Sequence, residues 1–110
     1  MTIYLTRGNY SEHAFHGMLE HPEDRHDAVA KMFNAAGGKL ISYYVTMGEY
    51  DYLVISEFND GIDALSALMV AAGTGGTRNL NTVVAMTTAD AKQAEAKARK
   101  IARGFKPAGQ

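Results

Sequence analysis

The chain has 110 residues, of which 46% are hydrophobic and 21% are charged, and its formal net charge is −1. This profile is typical of one soluble globular domain and argues against a strongly basic nucleic-acid-binding protein. The absence of cysteine excludes a disulfide framework, cysteine-based zinc or iron–sulfur sites, and thiol catalysis.

In the first half of the chain, alternating β-branched and aromatic residues predict a strand over residues 2–7 that ends at Gly8-Asn9. Ser11 is expected to cap a helix over residues 12–20, and Pro22 to interrupt it and begin a second helix that Gly37-Gly38 ends. Residues 40–47 and 50–58 predict two further strands joined in an antiparallel hairpin.

In the second half, Asn59 or Asp60 is expected to cap another helix that ends at Gly73. Its predicted core stripe consists of Ile62, Leu65, Leu68, Met69 and Ala72. A strand over residues 81–87 and a last helix, capped by Thr87 or Thr88 and reaching about residue 103, complete the chain.

The order β-α-β-β-α-β predicts an α+β, ferredoxin-like domain. Right-handed crossovers place both core helices on one face of a four-stranded antiparallel sheet. We therefore expect a ferredoxin-like domain over residues 1–88 and a basic helical extension over residues 89–110.

Strand alternation divides the side chains between the two faces of the sheet. The face expected under the helices holds Ile3, Leu5, Asp51, Leu53, Ile55, Val84 and Met86. The open face is expected to hold Tyr4, Thr6, Tyr50, Tyr52, Val54, Ser56, Val83 and Ala85. Because a tyrosine-rich exposed face is typical of interfaces, it predicts a homo-oligomer with sheets packed face to face, while a solvated sheet face is the alternative.

Three segments together resemble the GYD family of small bacterial proteins, namely residues 4–10 (YLTRGNY), 37–44 (GGKLISYY) and 46–52 (TMGEYDY). Pro22-x-x-Arg25 and Glu57-Phe58 also resemble the family pattern, and Gly48-x-Tyr50-Asp51 is the element that names the family. The resemblance covers about residues 3–88. It implies a ferredoxin-like domain of the dimeric α+β barrel kind and implies no particular reaction.

The segment Gly48-Glu-Tyr-Asp51 also has a physical interpretation of its own. Gly48 permits a positive φ at the hairpin turn, and Tyr50 is expected to point to the open sheet face. Asp51 is expected to point under the helices, where a carboxylate needs a partner, and Arg25 is the natural candidate. Asp51 either has a purely structural role, capping the turn or tying strand to helix, or it lines a pocket with Arg25 and Tyr50, in which case these three are the catalytic candidates.

Four histidines, His13, His16, His21 and His26, fall within the first helical region. His13 and His16 have i,i+3 spacing, but neither cysteine nor an HExxH motif accompanies them, so we predict no metal site. We expect His13, His16 and His26 at the rim of the pocket, with Tyr43 as a further ligand-binding residue. Gly73-Thr-Gly-Gly-Thr77 follows a helix and precedes a strand, so it is not a phosphate-binding loop, and no cofactor is expected.

The leading functional hypothesis is a homo-oligomeric α+β barrel that binds a small molecule, with no nucleic-acid or membrane partner. The first alternative is a cofactor-independent isomerase, cyclase or oxygenase acting on an aromatic or polyketide-like substrate, with Asp51 or a nearby histidine as general base. The second alternative is a structural or regulatory interaction module. No basic segment with a following apolar run begins the chain, so we expect no signal peptide and a cytoplasmic location.

The small net charge conceals a division along the chain. Residues 1–86 carry 5 basic and 10 acidic side chains, a net charge of −5, whereas residues 87–110 carry 6 basic and 2 acidic, a net charge of +4. The last helix has a weak apolar stripe and would be marginally stable alone, so we expect it to dock on its own subunit or on a neighbour.

Overall fold

A computed structural model describes residues 1–110 as a four-stranded sheet with four helices. The elements are β1 (Thr2–Tyr10), α1 (Glu12–Glu20), α2 (His26–Ala35), β2 (Gly38–Val45), β3 (Tyr52–Phe58), α3 (Gly61–Gly73), β4 (Thr77–Ala85) and α4 (Thr88–Ala102). The sheet order is β2-β3-β1-β4, and all three strand pairs are antiparallel. This confirms the ferredoxin-like α+β fold, with the first crossover divided into α1 and α2 around Pro22.

Three of the four helix N-termini are capped by the residues that the sequence indicated. The expectation that Pro22 begins the second helix was wrong, because α2 begins at His26, and its N-cap residue Arg25 makes no side-chain capping bond. The side chain of Ser11 accepts a hydrogen bond from the amide of Ala14 (3.0 Å), and Asp60 accepts one from Asp63 (3.0 Å). Thr87 caps α4 in the same way. Each cap satisfies an amide that the first helical turn leaves free.

Two strands are longer than the sequence predicted. β1 continues through Gly8 and Asn9 to Tyr10, and β4 begins at Thr77, because these segments pair with each other beyond an irregularity in register. Asn79 adopts a φ of 56°, a conformation that asparagine tolerates, and this adjusts the backbone near the irregularity.

The predicted faces of β1 and β3 were wrong, because the helices cover the opposite side of both strands. The buried core consists of Tyr4, Phe33, Tyr52, Val54, Phe58, Ala64 and Ala67. Ile3, Leu5, Leu53 and Ile55 instead share the open face, since Leu5 pairs with both Ile55 and Val83. Alternation specifies which residues share a face, whereas helix packing decides which face is covered.

The prediction for β4 was correct for the residues within the strand. Val83 and Ala85 lie on the open face, and Val84 lies on the other face, where it is 65% exposed. Met86 lies beyond the end of the strand.

The predicted core stripe of α3 was also wrong for most of its members. Ala64 and Ala67 are buried, whereas Ile62, Leu65 and Met69 are exposed at 80%, 56% and 64%. The two small alanine side chains let α3 lie close to the sheet aromatics, so its large residues face outward.

Helix α4 projects away from the rest of the molecule. It makes no substantial packing contact with another element, and Ala91 is its only partly buried residue. The chain has a radius of gyration of 18.3 Å and extends over 63 × 30 × 21 Å. A compact domain of this length has a radius of gyration of about 13 Å, so the fold-back of α4 onto its own subunit is not observed.

Candidate functional site

A cavity of about 530 Å³ lies between α1, α2, the last turns of α3 and the covered face of the sheet. Its apolar wall includes Met18, Val29, Met32, Phe33, Val54 and Leu80. Its hydroxyl groups come from Thr6, Tyr10, Tyr43, Tyr52 and Thr77. Four exposed polar residues, His13, His21, Glu23 and Arg25, line its solvent side. An apolar cavity of this size with a few convergent polar groups is typical of small-molecule sites.

Three tyrosines from three adjacent strands, Tyr10, Tyr43 and Tyr52, form a tyrosine cluster in this cavity. The hydroxyl oxygens of Tyr10 and Tyr43 are 2.5 Å apart and share a hydrogen bond. The hydroxyl of Tyr52 is hydrogen-bonded to that of Thr77, which donates to the carbonyl oxygen of Asn9 at 2.9 Å. The ring centroids of Tyr10 and Tyr52 lie 5.1 Å apart. The cluster thus presents ordered hydroxyl groups on an otherwise apolar surface.

Gly8 makes room for this cluster on β1. A Cβ atom at this position would collide with the phenol group of Tyr52. The Tyr52 side chain lies across β1 at Gly8, where only a residue without a side chain leaves room for it. Tyr10 follows two residues later on the same face of β1.

The surroundings of the cluster favour neutral phenols. Burial raises the pKa of Tyr10 well above its usual range, and the hydrogen bond to Tyr43 and the nearby charge of Asp51 act in the same direction. Burial also raises the pKa of Tyr52, although the hydrogen bond with Thr77 opposes this shift. Both side chains consequently remain protonated at neutral pH and serve as hydrogen-bond donors or acceptors.

Asp51 ties the β2–β3 loop to the end of β1. Its carboxylate accepts hydrogen bonds from the backbone amide of Tyr10 (3.0 Å) and from the side chain of Asn9 (3.2 Å). Its own amide donates to the carbonyl oxygen of Gly8 at 2.8 Å. The loop contains Gly48 at a φ of +134°, which confirms the predicted positive φ.

The predicted ion pair between Arg25 and Asp51 was wrong. Arg25 instead pairs with Glu23, with 2.7 Å between the guanidinium nitrogen and the carboxylate oxygen. The physical reason is that Arg25 lies at the N-cap position of α2, on the exposed side of the cavity, and not within the stripe that packs on the sheet.

The structure brings only some of the candidate site residues together. Arg25, His13 and Tyr43 line the cavity, whereas Asp51 adjoins it through its bond to the Tyr10 amide. Tyr50 lies against Arg7, whose guanidinium carbon is 4.6 Å from the ring centroid. Because Arg7 pairs with Leu53 on the open face, Tyr50 does not join the cavity.

The remaining two candidate histidines do not line the cavity. His16 is paired with Glu20 at 4.0 Å, and His26 with Asp27 at 3.3 Å. No three His, Asp or Glu side chains come close enough to hold a metal ion. The catalytic and ligand-binding roles suggested for these residues stay predictions.

Sequence reasoning missed Tyr10, Tyr52 and Thr77 as site residues. The available signal was the alternation Tyr4-x-Thr6-x-Gly8-x-Tyr10, which places Tyr10 on the same face as Tyr4 once β1 is extended past Gly8. The hydroxyl pairing across β1, β2 and β3 depends on their register and has no signature within a single segment.

The fold and cavity define a small ferredoxin-like α+β protein. A family model described as the GYD domain matches residues 4–94, and the chain belongs to that family. A search of curated proteins found no match. None of the four helices is both long enough and apolar enough to cross a membrane.

Three solved structures resemble this chain at low sequence identity. The structure of FFRP-DM1 is 16% identical, covers 78% of this chain and 100% of its own, and gives a TM-score of 0.46. The structure of hypothetical protein PHS023 from Pyrococcus horikoshii is 16% identical, covers 79% of this chain and 92% of its own, and gives a TM-score of 0.48. The structure of TTHA0845 from Thermus thermophilus is 14% identical, covers 79% of this chain and 95% of its own, and gives a TM-score of 0.44.

Proposed function

We propose that this protein is a homo-oligomer that binds a small, largely apolar molecule in the cavity between α1, α2 and the sheet. The observation that carries the proposal is the tyrosine cluster inside a cavity of about 530 Å³. A ligand carrying a carbonyl or hydroxyl oxygen would exchange hydrogen bonds with Tyr10 and Tyr43 while its carbon skeleton contacts Met18 and Met32. Such a combination of apolar walls and few oriented polar groups gives both affinity and orientation.

Gly17 provides a direct test of cavity binding. It lines the cavity within α1, and no atom lies within 4 Å of a Cβ placed there. We expect native mass spectrometry to detect a bound organic molecule on the purified protein, or titration with the fluorescent probe 1-anilinonaphthalene-8-sulfonate to show saturable binding. Gly17→Phe should weaken probe binding at least tenfold, while the matched control Gly17→Ala should keep it within about twofold. Equal binding by both variants, or no binding by the unmodified protein, contradicts the proposal.

The open sheet face supports the oligomeric part of the proposal. Ile3, Leu5, Leu53 and Ile55 lie beside Val83, which is 48% exposed, so this face is more apolar than the tyrosine-rich surface that the sequence suggested. A contiguous apolar face of this kind favours association with a second copy. Light scattering with size-exclusion chromatography should give a multimeric mass that Leu5→Asp lowers. The same change at Leu19, which is 82% exposed on α1, should leave it unaltered. A monomer at high micromolar concentration would contradict this part.

A cofactor-independent enzyme is the second candidate, and the paired phenols of Tyr10 and Tyr43 favour it. Protonated phenols in an apolar cavity stabilise negative charge that develops on a substrate oxygen. Asp51 is already bound to an amide and to Asn9, so His13, on the solvent side of the cavity, is the better candidate for a general base. Proton–deuterium exchange in a co-purified ligand, abolished in His13→Gln but retained in His16→Gln, would support this candidate.

A further inference from the structure

We propose that α4 is an arm that docks in antiparallel orientation on α3 of a second copy of the chain. The arm has an apolar stripe but makes no substantial packing contact within its own subunit. Within the helix the stripe consists of Ala91, Ala94, Ala98 and Ile101, and Phe105 follows just beyond the end of α4. Ile101 and Phe105 are 60% and 68% exposed. An isolated helix of this length is marginal in water and needs a partner surface.

The outer side of α3 offers a matching stripe. Ile62, Leu65 and Met69 follow each other at intervals of three and four residues and all face solvent. Ile101, Ala98 and Ala94 have the same spacing when α4 is followed backwards. Antiparallel pairing therefore brings Ile101 onto Ile62, and sets the small Ala98 and Ala94 against the large Leu65 and Met69.

The charges favour the same orientation. In this register, Asp60 and Asp63 at the start of α3 come to the same level as Arg103 and Lys100 near the end of α4. No basic residue lies within α3, whereas the charged residues from Lys97 to Lys106 are all basic. Antiparallel packing also opposes the two helix dipoles favourably.

The chain connection requires that the partner be another copy. Ala85, the last residue of β4, pairs with Ile3, and Thr2 pairs with Phe58, so β4 ends close to the start of α3. Only Met86 and Thr87 separate β4 from α4, and two residues span about 7 Å. Since α3 is about 20 Å long, α4 of the same chain cannot begin at the far end of α3 and run antiparallel to it.

Cysteine crosslinking tests this arrangement cleanly because the chain has no cysteine. One protein carries Leu65→Cys, and a second protein, distinguished by a size tag, carries Ala98→Cys. After the two are mixed and oxidised with diamide, we expect a mixed disulfide dimer. Ala96→Cys, on the opposite side of α4, is the matched control and should give at least fivefold less mixed dimer. The paired change Lys100→Glu with Arg103→Glu should lower the yield severalfold.

Two results would overturn the proposal. One is an equal yield of mixed dimer from Ala98→Cys and Ala96→Cys. The other is a purely intrachain disulfide in a protein that carries both Leu65→Cys and Ala98→Cys. Because Leu65 and Ala98 lie outside the cavity and the open sheet face, probe binding and the Leu5→Asp experiment are decided independently of this crosslink.

Discussion

Tyr43→Phe removes one hydroxyl from the tyrosine cluster while it keeps the ring in place. The lost hydrogen bond joins Tyr43 to Tyr10, whose oxygen atoms are 2.5 Å apart, and both side chains are partly buried. A hydrogen bond of this kind contributes about 1 kcal/mol to the free energy of unfolding. For a domain of this size, the loss corresponds to a decrease in Tm of about 4 °C. Urea denaturation of Tyr43→Phe, Tyr10→Phe and the double variant should give a coupling energy of about 1 kcal/mol.

The same substitution should change the alkaline titration of the protein. Burial raises the pKa of Tyr10 in the folded protein above the unfolded value of about 10, and the hydrogen bond with Tyr43 acts in the same direction. The folded state therefore holds its proton more tightly, so its stability is intact below pH 10 and declines as the pH rises toward the folded pKa. In Tyr43→Phe the pKa of Tyr10 falls, and the decline in stability above pH 10 becomes shallower. Absorbance at 295 nm follows tyrosinate formation directly.

Tyr44→Phe is the matched control for this experiment. Tyr44 is the next residue on β2, is 59% exposed and pairs with Leu53 on the open face. Tyr44→Phe should leave the free energy of unfolding within about 0.5 kcal/mol of the unmodified protein's value, and it should leave the late phase of the tyrosine titration unchanged. The reasoning is refuted if the effects of Tyr10→Phe and Tyr43→Phe are additive, or if Tyr43→Phe leaves the titration curve as it was.

Three further substitutions test individual features, each by urea denaturation. Gly17→Ala should raise the free energy of unfolding by about 1 kcal/mol, because the site is within a helix and the added methyl meets nothing; a fall would contradict this. Gly38→Ala should lower it by about 3 kcal/mol, since its Cβ would collide with the ring of the buried Phe58, and an unchanged midpoint would show that no such contact exists. Asp51→Ala should cost about 1–3 kcal/mol by leaving the Tyr10 amide without its acceptor, whereas Asp51→Asn retains a carbonyl oxygen there and should cost less; equal losses would argue against this bond.

Much of the candidate site could not be predicted because its geometry depends on distant segments. The positive φ of Gly48 was predictable, since it depends on a local turn. The partner of Asp51 was not, because the choice between Arg25 and the Tyr10 amide depends on where the loop meets β1. Likewise, the Tyr10–Tyr43 bond joins two strands that are separated in the sheet by β3.

Local residue preferences and composition were enough to predict the order of elements, the N-caps of α1, α3 and α4, the antiparallel hairpin and the contrast in charge between residues 1–86 and the last helix. These features are predictable because each depends on the residues of one short segment or on overall composition, and not on contacts between distant segments. Tertiary structure alone decided which sheet face lies under the helices. Alternation is equally consistent with either face being covered. The choice is made by packing, because Ala64 and Ala67 of α3 form one buried core with Phe33 and the tyrosine side of the sheet. That choice placed the tyrosines in the cavity and left Leu5 and Ile55 on the open face. The net charge of −1 thus belongs to a chain whose two oppositely charged parts are separated in space.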